Sequence, residues 1–471
     1  MDSEVSADLK EHCSVADVRR CLSYLLPHLD AFWAQPLATY ATALYDVEPF
    51  SCGDEVRVHA MDRLRVCVER AARRSGYGEE DALSASAEVL SAPVMQTGPH
   101  AMLLIEPDAF YTHMFSLLGL MSHGRQWHIT YSVSTSAFKE SAKKGPGWLR
   151  VGGETLNVFG LPRKRLIGSS IGCLNGPYRY AFSNSRHEVA PNASAARLLA
   201  ELPAAGFPSG AEAIKMGNQA LWHGKLAAPA KLLQLDDFDM ADLIADHLDD
   251  RKSWLSAHFF DGVMAALSIL EETDRLNAGP WAGWVRRTTD LFWGLEKNRV
   301  VPLHLEGGAL KSLRSPSFEV KLTPKRLAAA LRERAILPGM FMTYLVVSTL
   351  PGVRALGGCR QTVYLPLMRY LASIGVRLSG AAGLLAALER DKLPGVWGHR
   401  VLKPADTDPF QEIEAAGGIS PLLSTYANLT LEQASGDLAS FTTDPIWAEM
   451  SAHIDDGTIK RISSEWLWSG P

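Results

Sequence analysis

Between Ala92 and Ser134 the apolar spacing changes twice, and that change constrains the fold more than any other feature of the chain. Val94-Met95-Gln96 reads as a short strand and Thr97-Gly98 as a tight turn. Pro99 suits the first position of a helix, where its missing N–H would have no partner anyway. A further helix, starting near Pro107-Asp108, carries Phe110, Met114, Leu117, Leu118 and Met121 at helical spacing. Trp127 to Ser134 then alternates apolar and polar, as a half-buried strand does. Strand, turn, helix, strand is a β-α-β unit, so the expected class is α/β with a parallel sheet.

In open α/β sheets, ligands bind beyond the carboxyl ends of the strands, where free backbone N–H groups at a helix start favour an anion. Gly98 would let a ligand approach the backbone closely. His100, on the first helical turn, would contact a phosphate or act as acid or base. Ser132, Ser134, Thr135 and Ser136 would lie on the same rim. The segment is neither G-x-G-x-x-G nor G-x-x-x-x-G-K-[ST].

A second turn of the same design lies about 260 residues downstream. LTPKRLAAALRERAILPG predicts a helix from Pro324, capped by Thr323 and ended before Pro338. In TYLVVSTLPGVRALGGCRQTVYLPLMRYL, Gly357-Gly358 separates a short apolar segment from a helix that includes Tyr364 and Arg369. The two turns could meet across one sheet.

The rest divides around these units. Residues 1–90 read as a helical lead-in, broken at Pro27 and Pro36, with a helix from Val56 to Arg74. Residues 91–193 form the first half of the core, 194–287 a helical insertion, 288–378 the second half and 379–471 a helical acidic region. In the insertion, LLQLDDFDMADLIADHLDD puts Asp236, Asp237 and Asp239 on a solvated helix face rather than in a metal site. WVRRTTDLFWGLEKNRVVPLHLEGGALKSL reads as a hairpin joined at Glu296-Lys297-Asn298, followed by a Gly307-Gly308 turn, that should rejoin the main sheet.

The chain has 471 residues, 47% of them hydrophobic and 21% charged, enough material for a large core. It holds no apolar run long enough to span a bilayer, and its acidic start has no signal-peptide core, so a cytoplasmic protein is expected. The six cysteines are scattered without zinc spacing and are expected to be reduced and buried. His113, His123 and His128 fall on a helix, a turn and a strand and need not converge; no metal site is expected. There is no G-x-S-x-G and no H-E-x-x-H. The net charge of −5 hides an asymmetry: Lys139 to Arg165 holds seven basic residues against two acids, while Pro404 to Ile459 holds ten acids and no lysine or arginine. Lys143, Lys144, Arg163 and Arg165 would serve a polyanion.

The Thr-Gly turn followed by YTHMFSLLGL, and the later ALGGCRQTVYLPLMR, together resemble the bacillithiol synthase family of cysteine-adding ligases. In that family the first turn reads close to TGQQ and the second close to VGGPGEIAYWLQL. The resemblance covers Met95 to Ser134 and Leu322 to Tyr370. It implies a Rossmann-like core related to class I aminoacyl-tRNA synthetases, with amide-forming or group-transferring activity. Thr97-Gly98-Pro99-His100 would take the first turn's place, and Gly357, Gly358, Gln361 and Tyr364 the second's, as substrate contacts. Departures are clear: the family's Glu-Asp-His-Asp segment is replaced by Ser134-Thr135-Ser136-Ala137-Phe138, its second-turn glutamate by Gln361, and no coiled-coil arm is evident. Losing those carboxylates argues against the same reaction on the same substrate.

Three functions fit: a ligase joining an amino acid to a small amine or hydroxylamine; a transferase taking its acyl group from aminoacyl-tRNA; and a non-catalytic binding or scaffold relative. In either enzyme His100, Thr97 and Ser134 would carry the chemistry, with ATP or aminoacyl-tRNA as donor. Partners would be a small-molecule substrate and, in the second case, tRNA; neither membrane nor DNA is expected.

Overall fold

The computed structural model describes residues 13–470 apart from 52, 137, 139–144, 261–262, 297–298, 316–317 and 406–407. Twelve strands run through the described residues: β1 (Val94–Gln96), β2 (Trp127–Tyr131), β3 (Trp148–Val151), β4 (Glu154–Asn157), β5 (Lys231–Leu235), β6 (Phe292–Glu296), β7 (Arg299–Glu306), β8 (Ala309–Ser312), β9 (Glu319–Lys321), β10 (Ile336–Pro338), β11 (Arg354–Gly357) and β12 (Gly395–Trp397). The protein is α/β. Its centre is a five-stranded sheet of order β12-β11-β1-β2-β5 in which every pairing is parallel. From β1 the chain adds β2 and β5 on one side, then returns to add β11 and β12 on the other. The direction of winding therefore reverses between β1 and β11, the strands that carry the two glycine turns.

These strands are short and almost entirely buried, as expected where both faces of a parallel sheet are covered. β2 stops at Tyr131, earlier than the alternation to Ser134 suggests. Ser132 N–H still reaches Leu235 C=O, but the N–H groups of Ser134 and Thr135 both turn to the Asp237 carboxylate, at 2.7 Å each. A side-chain acceptor thus replaces the strand partner.

The helical lead-in is present as Val15–Leu25, Leu37–Tyr45, Glu55–Arg74 and Glu79–Ser91. It is fastened to the sheet. Buried Arg354 of β11 donates to the carbonyls of Leu44 (2.8 Å) and Asp46 (3.0 Å), at the end of Leu37–Tyr45 where a helix dipole favours a cation. Tyr40 donates to Trp397 C=O at 2.6 Å.

Several expectations need correction. Residues 194–287 are not a pure helical insertion, because they supply β5, an edge strand of the central sheet. The β6–β7 hairpin does not rejoin that sheet. With its Gly307-Gly308 turn, both residues at positive φ, it builds a separate antiparallel sheet of order β10-β6-β7-β8-β9. Pro99 does not open a helix: the chain continues as loop to Glu106, which caps Pro107–Ser122 by accepting from Ala109 N–H. Thr323 precedes the helix Pro324–Arg332 but its side chain makes no capping bond.

The Asp236 region is buried rather than solvated. Asp236 and Asp239 form a reciprocal capping box for the helix Asp237–Asp249, and Lys215 bridges both carboxylates at 2.9 and 2.8 Å. The acidic C-terminal region is no free tail, since its carboxylates pair with arginines of the body: Glu432 with Arg19, Asp455 with Arg20, and Asp444 with Arg360. His113 and His128 do converge, with Nδ1 and Nε2 2.9 Å apart, His128 stacked on Trp222 and His113 edge-on to it in a buried cluster. Burial holds the His113 imidazole down to about 4, so it is neutral at pH 7. Among the described residues no group of three or more His, Cys, Asp or Glu could hold a metal ion, and no helix is long and apolar enough to cross a membrane.

Candidate functional site

The two glycine turns do meet. Thr97 N–H and its hydroxyl both donate to Leu356 C=O, at 2.9 and 3.0 Å, across the β1–β11 seam. A cavity of about 530 Å³ opens there, within the range of small-molecule sites. Residues just past the carboxyl ends of all five parallel strands line it: Gly98 after β1, Val133 and Thr135 after β2, Asp237 after β5, Gly358 after β11 and His399 after β12. The opposite wall comes from the helix Met264–Asn277, the 285–293 segment and Pro338–Phe341 at the end of the second sheet.

One lining residue, His399, is one that sequence reading missed. A Cβ placed on Gly98 would lie 2.7 Å from His399 Cγ, and one on Gly358 would lie 2.6 Å from His399 Nδ1. The bare backbone at both turns makes room for one imidazole rather than for a ligand, which corrects the expectation of close ligand approach. His399 Nε2 is shielded from solvent and has no hydrogen-bond partner among the described residues. Its pKa lies well below the usual value, through burial first and then through the neighbouring Arg400 guanidinium and the His100 and His113 rings. The imidazole is therefore neutral at pH 7. Arg400, beside it, adopts a left-handed backbone (φ +55°), pairs with Asp108, and has a buried Nε with no partner among the described residues. Such outliers persist where the surroundings over-determine them and concentrate at functional sites. The available signal was GVWGHR, Gly395 to Arg400, a third short apolar strand stopping at a glycine.

The residues expected to do chemistry divide sharply. His100 lines the cavity and is exposed, but it sits on a loop, not on a helical turn. Thr97 also lines the cavity, yet its hydroxyl hydrogen is committed to Leu356 C=O, so it is a structural tie. Ser134 lies outside the cavity lining with its hydroxyl 3.2 Å from Asp237. Gly357 is packed against Gln361. Tyr364 lines the cavity, its ring 6.1 Å from that of Tyr344.

Gln361 is a tie between the turns. Its carbonyl accepts from Gly358 N–H at 2.5 Å, while its amide donates to Thr97 C=O (3.2 Å), to the Thr97 hydroxyl (3.3 Å) and to the Tyr344 hydroxyl. Gly358 N–H is thus not available to an oxyanion or phosphate. Only an amide presents an acceptor to one turn and donors to the other. Gln361→Glu will place a carboxylate oxygen against the Thr97 carbonyl and should lower stability by about 2–3 kcal/mol, read as an earlier urea midpoint with unchanged slope. An equal midpoint would contradict this role.

Asp237 is the cavity's carboxylate. One oxygen accepts from the Tyr131 hydroxyl at 2.5 Å, the other from Ser134 N–H, the Ser134 hydroxyl and Thr135 N–H. Burial raises its pKa, and the Tyr131 and Ser134 hydrogen bonds oppose that rise. On the rim are Arg286, Arg287, Arg360 and Arg400. Arg287 is held by Asp290 at 2.6 Å and Arg360 by Asp444 at 2.6 Å. Arg286 is exposed and joins none of the ion pairs among the described residues. Cys359 also lines the cavity, but burial pushes its thiol up to about 11, too high for a thiolate at neutral pH. The other described cysteines, Cys13, Cys21, Cys67 and Cys173, are free and buried, as expected.

Near the rim, burial and the neighbouring Asp108 push Glu106 up to about 7, against a pull from Arg400. Its folded pKa exceeds its unfolded one, so the folded state keeps a proton that the unfolded chain releases. Stability should therefore fall as pH rises from about 4.5 through 7, by about 1–3 kcal/mol. Urea midpoints at pH 5 and pH 8 check this. Glu106→Gln should flatten the difference, and an unchanged pH dependence in the variant would contradict it.

Of the basic stretch, Arg165 is not among the residues that line the cavity. Lys143, Lys144 and the Arg163 side chain lie outside the described residues. Arg165 donates to Asn175 C=O and lies 5.0 Å over the Tyr178 ring, which commits it to local structure rather than to a polyanion. No protein-family model and no curated protein matches this chain.

Proposed function

We propose that the protein is a ligase or transferase that joins an amino acid or aminoacyl group to a small amine or hydroxylamine acceptor in the cavity between the two glycine turns. The observation that carries this reading is the convergence of all five strand ends on one cavity, at the point where the winding reverses, with His399 in its lining between the two glycine turns. A reversal of this kind is where doubly wound, Rossmann-like sheets bind their ligands. The resemblance to the bacillithiol synthase family points the same way.

The residues suit acyl transfer. The arginine rim would hold an anionic substrate group or the anionic leaving group of an activated acyl donor. The amine nitrogen would bond to the acyl carbon, and the bond from that carbon to the leaving oxygen would break with its electron pair. His399, neutral and with Nε2 unpartnered, would accept the proton that the amine loses. Asp237 would face the positive charge of the amine. ATP or aminoacyl-tRNA would supply the activated acyl group.

Hydroxamate formation tests this. The protein would be given mixed amino acids and hydroxylamine with ATP, and in a second arm aminoacyl-tRNA with hydroxylamine. The account predicts hydroxamate above the uncatalysed rate in one arm, and about a hundredfold or greater loss of turnover in His399→Ala. No hydroxamate in either arm, or full activity in the variant, would contradict it.

A further inference from the structure

The cavity has two chemically different sides. Arg360 and Arg400 bring positive charge and His100 and His399 bring imidazole rings along the strand ends, whereas Ile269, Leu270, Phe341, Met368 and Leu371 form an apolar wall facing them. Apart from Phe341 these wall residues are buried, yet they still border the open volume, so an occupant would remove further apolar surface from water. A nucleotide or a small polar amino acid would use the cationic side and leave this wall uncovered. The Nε of Arg400 and Nε2 of His399 are buried and without a hydrogen-bond partner among the described residues, beside the cavity whose lining includes both side chains.

We propose that the acyl substrate is an amino acid or other carboxylic acid with a hydrophobic tail, its carboxylate, or the anionic leaving group of its activated form, at Arg400 and Arg360 and its alkyl or aryl tail against the wall of the helix Met264–Asn277 and Phe341. This rests on the reading of the cavity as the substrate site, and it names the substrate class. The second sheet then has a role. Its β10 end leads directly into Gly339–Phe341, so the antiparallel module selects the tail while the parallel sheet holds the head.

The test is a calorimetric titration of the full chain with straight-chain carboxylates from acetate to octanoate, alongside inorganic phosphate and AMP. Affinity should rise about fourfold per methylene until the cavity is filled. Met340 borders the cavity and is 40% exposed, so Met340→Asp should leave the fold intact. This variant should flatten the chain-length dependence measured against its own acetate affinity, whatever its added charge does to the binding of small anions. Binding of phosphate, AMP or acetate with no gain from longer tails would overturn the substrate class and leave the site reading standing. No binding by any of these anions would overturn both. A chain-length gain that persists unchanged in Met340→Asp, and equally in Leu270→Trp, which fills the wall from within, would place the tail elsewhere and overturn the inference.

Discussion

Asp237→Ala should be the most destabilising single substitution near the site, costing about 3–5 kcal/mol. The carboxylate serves four donors: the Tyr131 hydroxyl, Ser134 N–H, the Ser134 hydroxyl and Thr135 N–H. Asp237 is 1% exposed, so water does not replace it without rearrangement. Each buried donor left without an acceptor costs about 1–3 kcal/mol, and relaxation recovers part of the total. The loss reaches beyond the residue. Without its acceptor the 132–135 segment has no anchor past the end of β2, and the rim that Val133 and Thr135 form should loosen. Asp237→Asn separates charge from anchoring, because its amide oxygen can still accept from the Ser134 and Thr135 N–H groups. It should cost less than half as much as the alanine change. Urea denaturation of the three proteins checks this, and near-equal midpoints for wild type and Asp237→Ala would contradict the anchoring role.

The second large effect is a coupling. Gly98→Ala and Gly358→Ala each force a methyl into the His399 imidazole, at 2.7 and 2.6 Å from its nearest atoms. Neither glycine needs a left-handed backbone, so the clash is the main cost. Overpacking of this kind costs about 1–3 kcal/mol. His399→Ala removes the ring, and either glycine change in that background should then be almost free. The double-mutant cycles should return coupling energies of about 1–3 kcal/mol. Additive effects would mean that the turns do not close on the imidazole, and the geometry of the site would have to be redrawn.

Much of this was legible in the sequence where period and punctuation agree. Val94–Gln96 with Thr97-Gly98, the helix from Pro107, and Arg354–Gly357 leading into Gln361–Leu378 were all readable, as was the possibility that the two turns meet. What stayed hidden depends on tertiary capture. KLLQL, Lys231 to Leu235, is too short to stand out from the helices around it, yet five parallel register pairs with β2 make it a strand. The Asp236 to Asp239 carboxylates look solvated along a helix face, but Lys215 and Arg74 arrive from other elements and make burial affordable. Thr97 was expected to carry chemistry and Gln361 to contact substrate, from their places in the two turns that carry the family resemblance. Only the partners show that they tie the turns together. His399 was missed because its turn follows a strand of three residues, and only the sheet order shows where that strand ends.

The cavity at the β1–β11 reversal is proposed to be where an anionic small molecule binds. The most direct measurement compares wild type with Arg286→Glu, an exposed rim residue whose charge reversal should not disturb folding. Both would be titrated with AMP, pyrophosphate and octanoate at low and physiological salt. The account predicts saturable binding of at least one anion to wild type, weakened about tenfold or more in the variant at equal thermal stability, with the gap narrowing as salt rises. Equal affinity in the two proteins, or no binding of any anion to wild type, would contradict it.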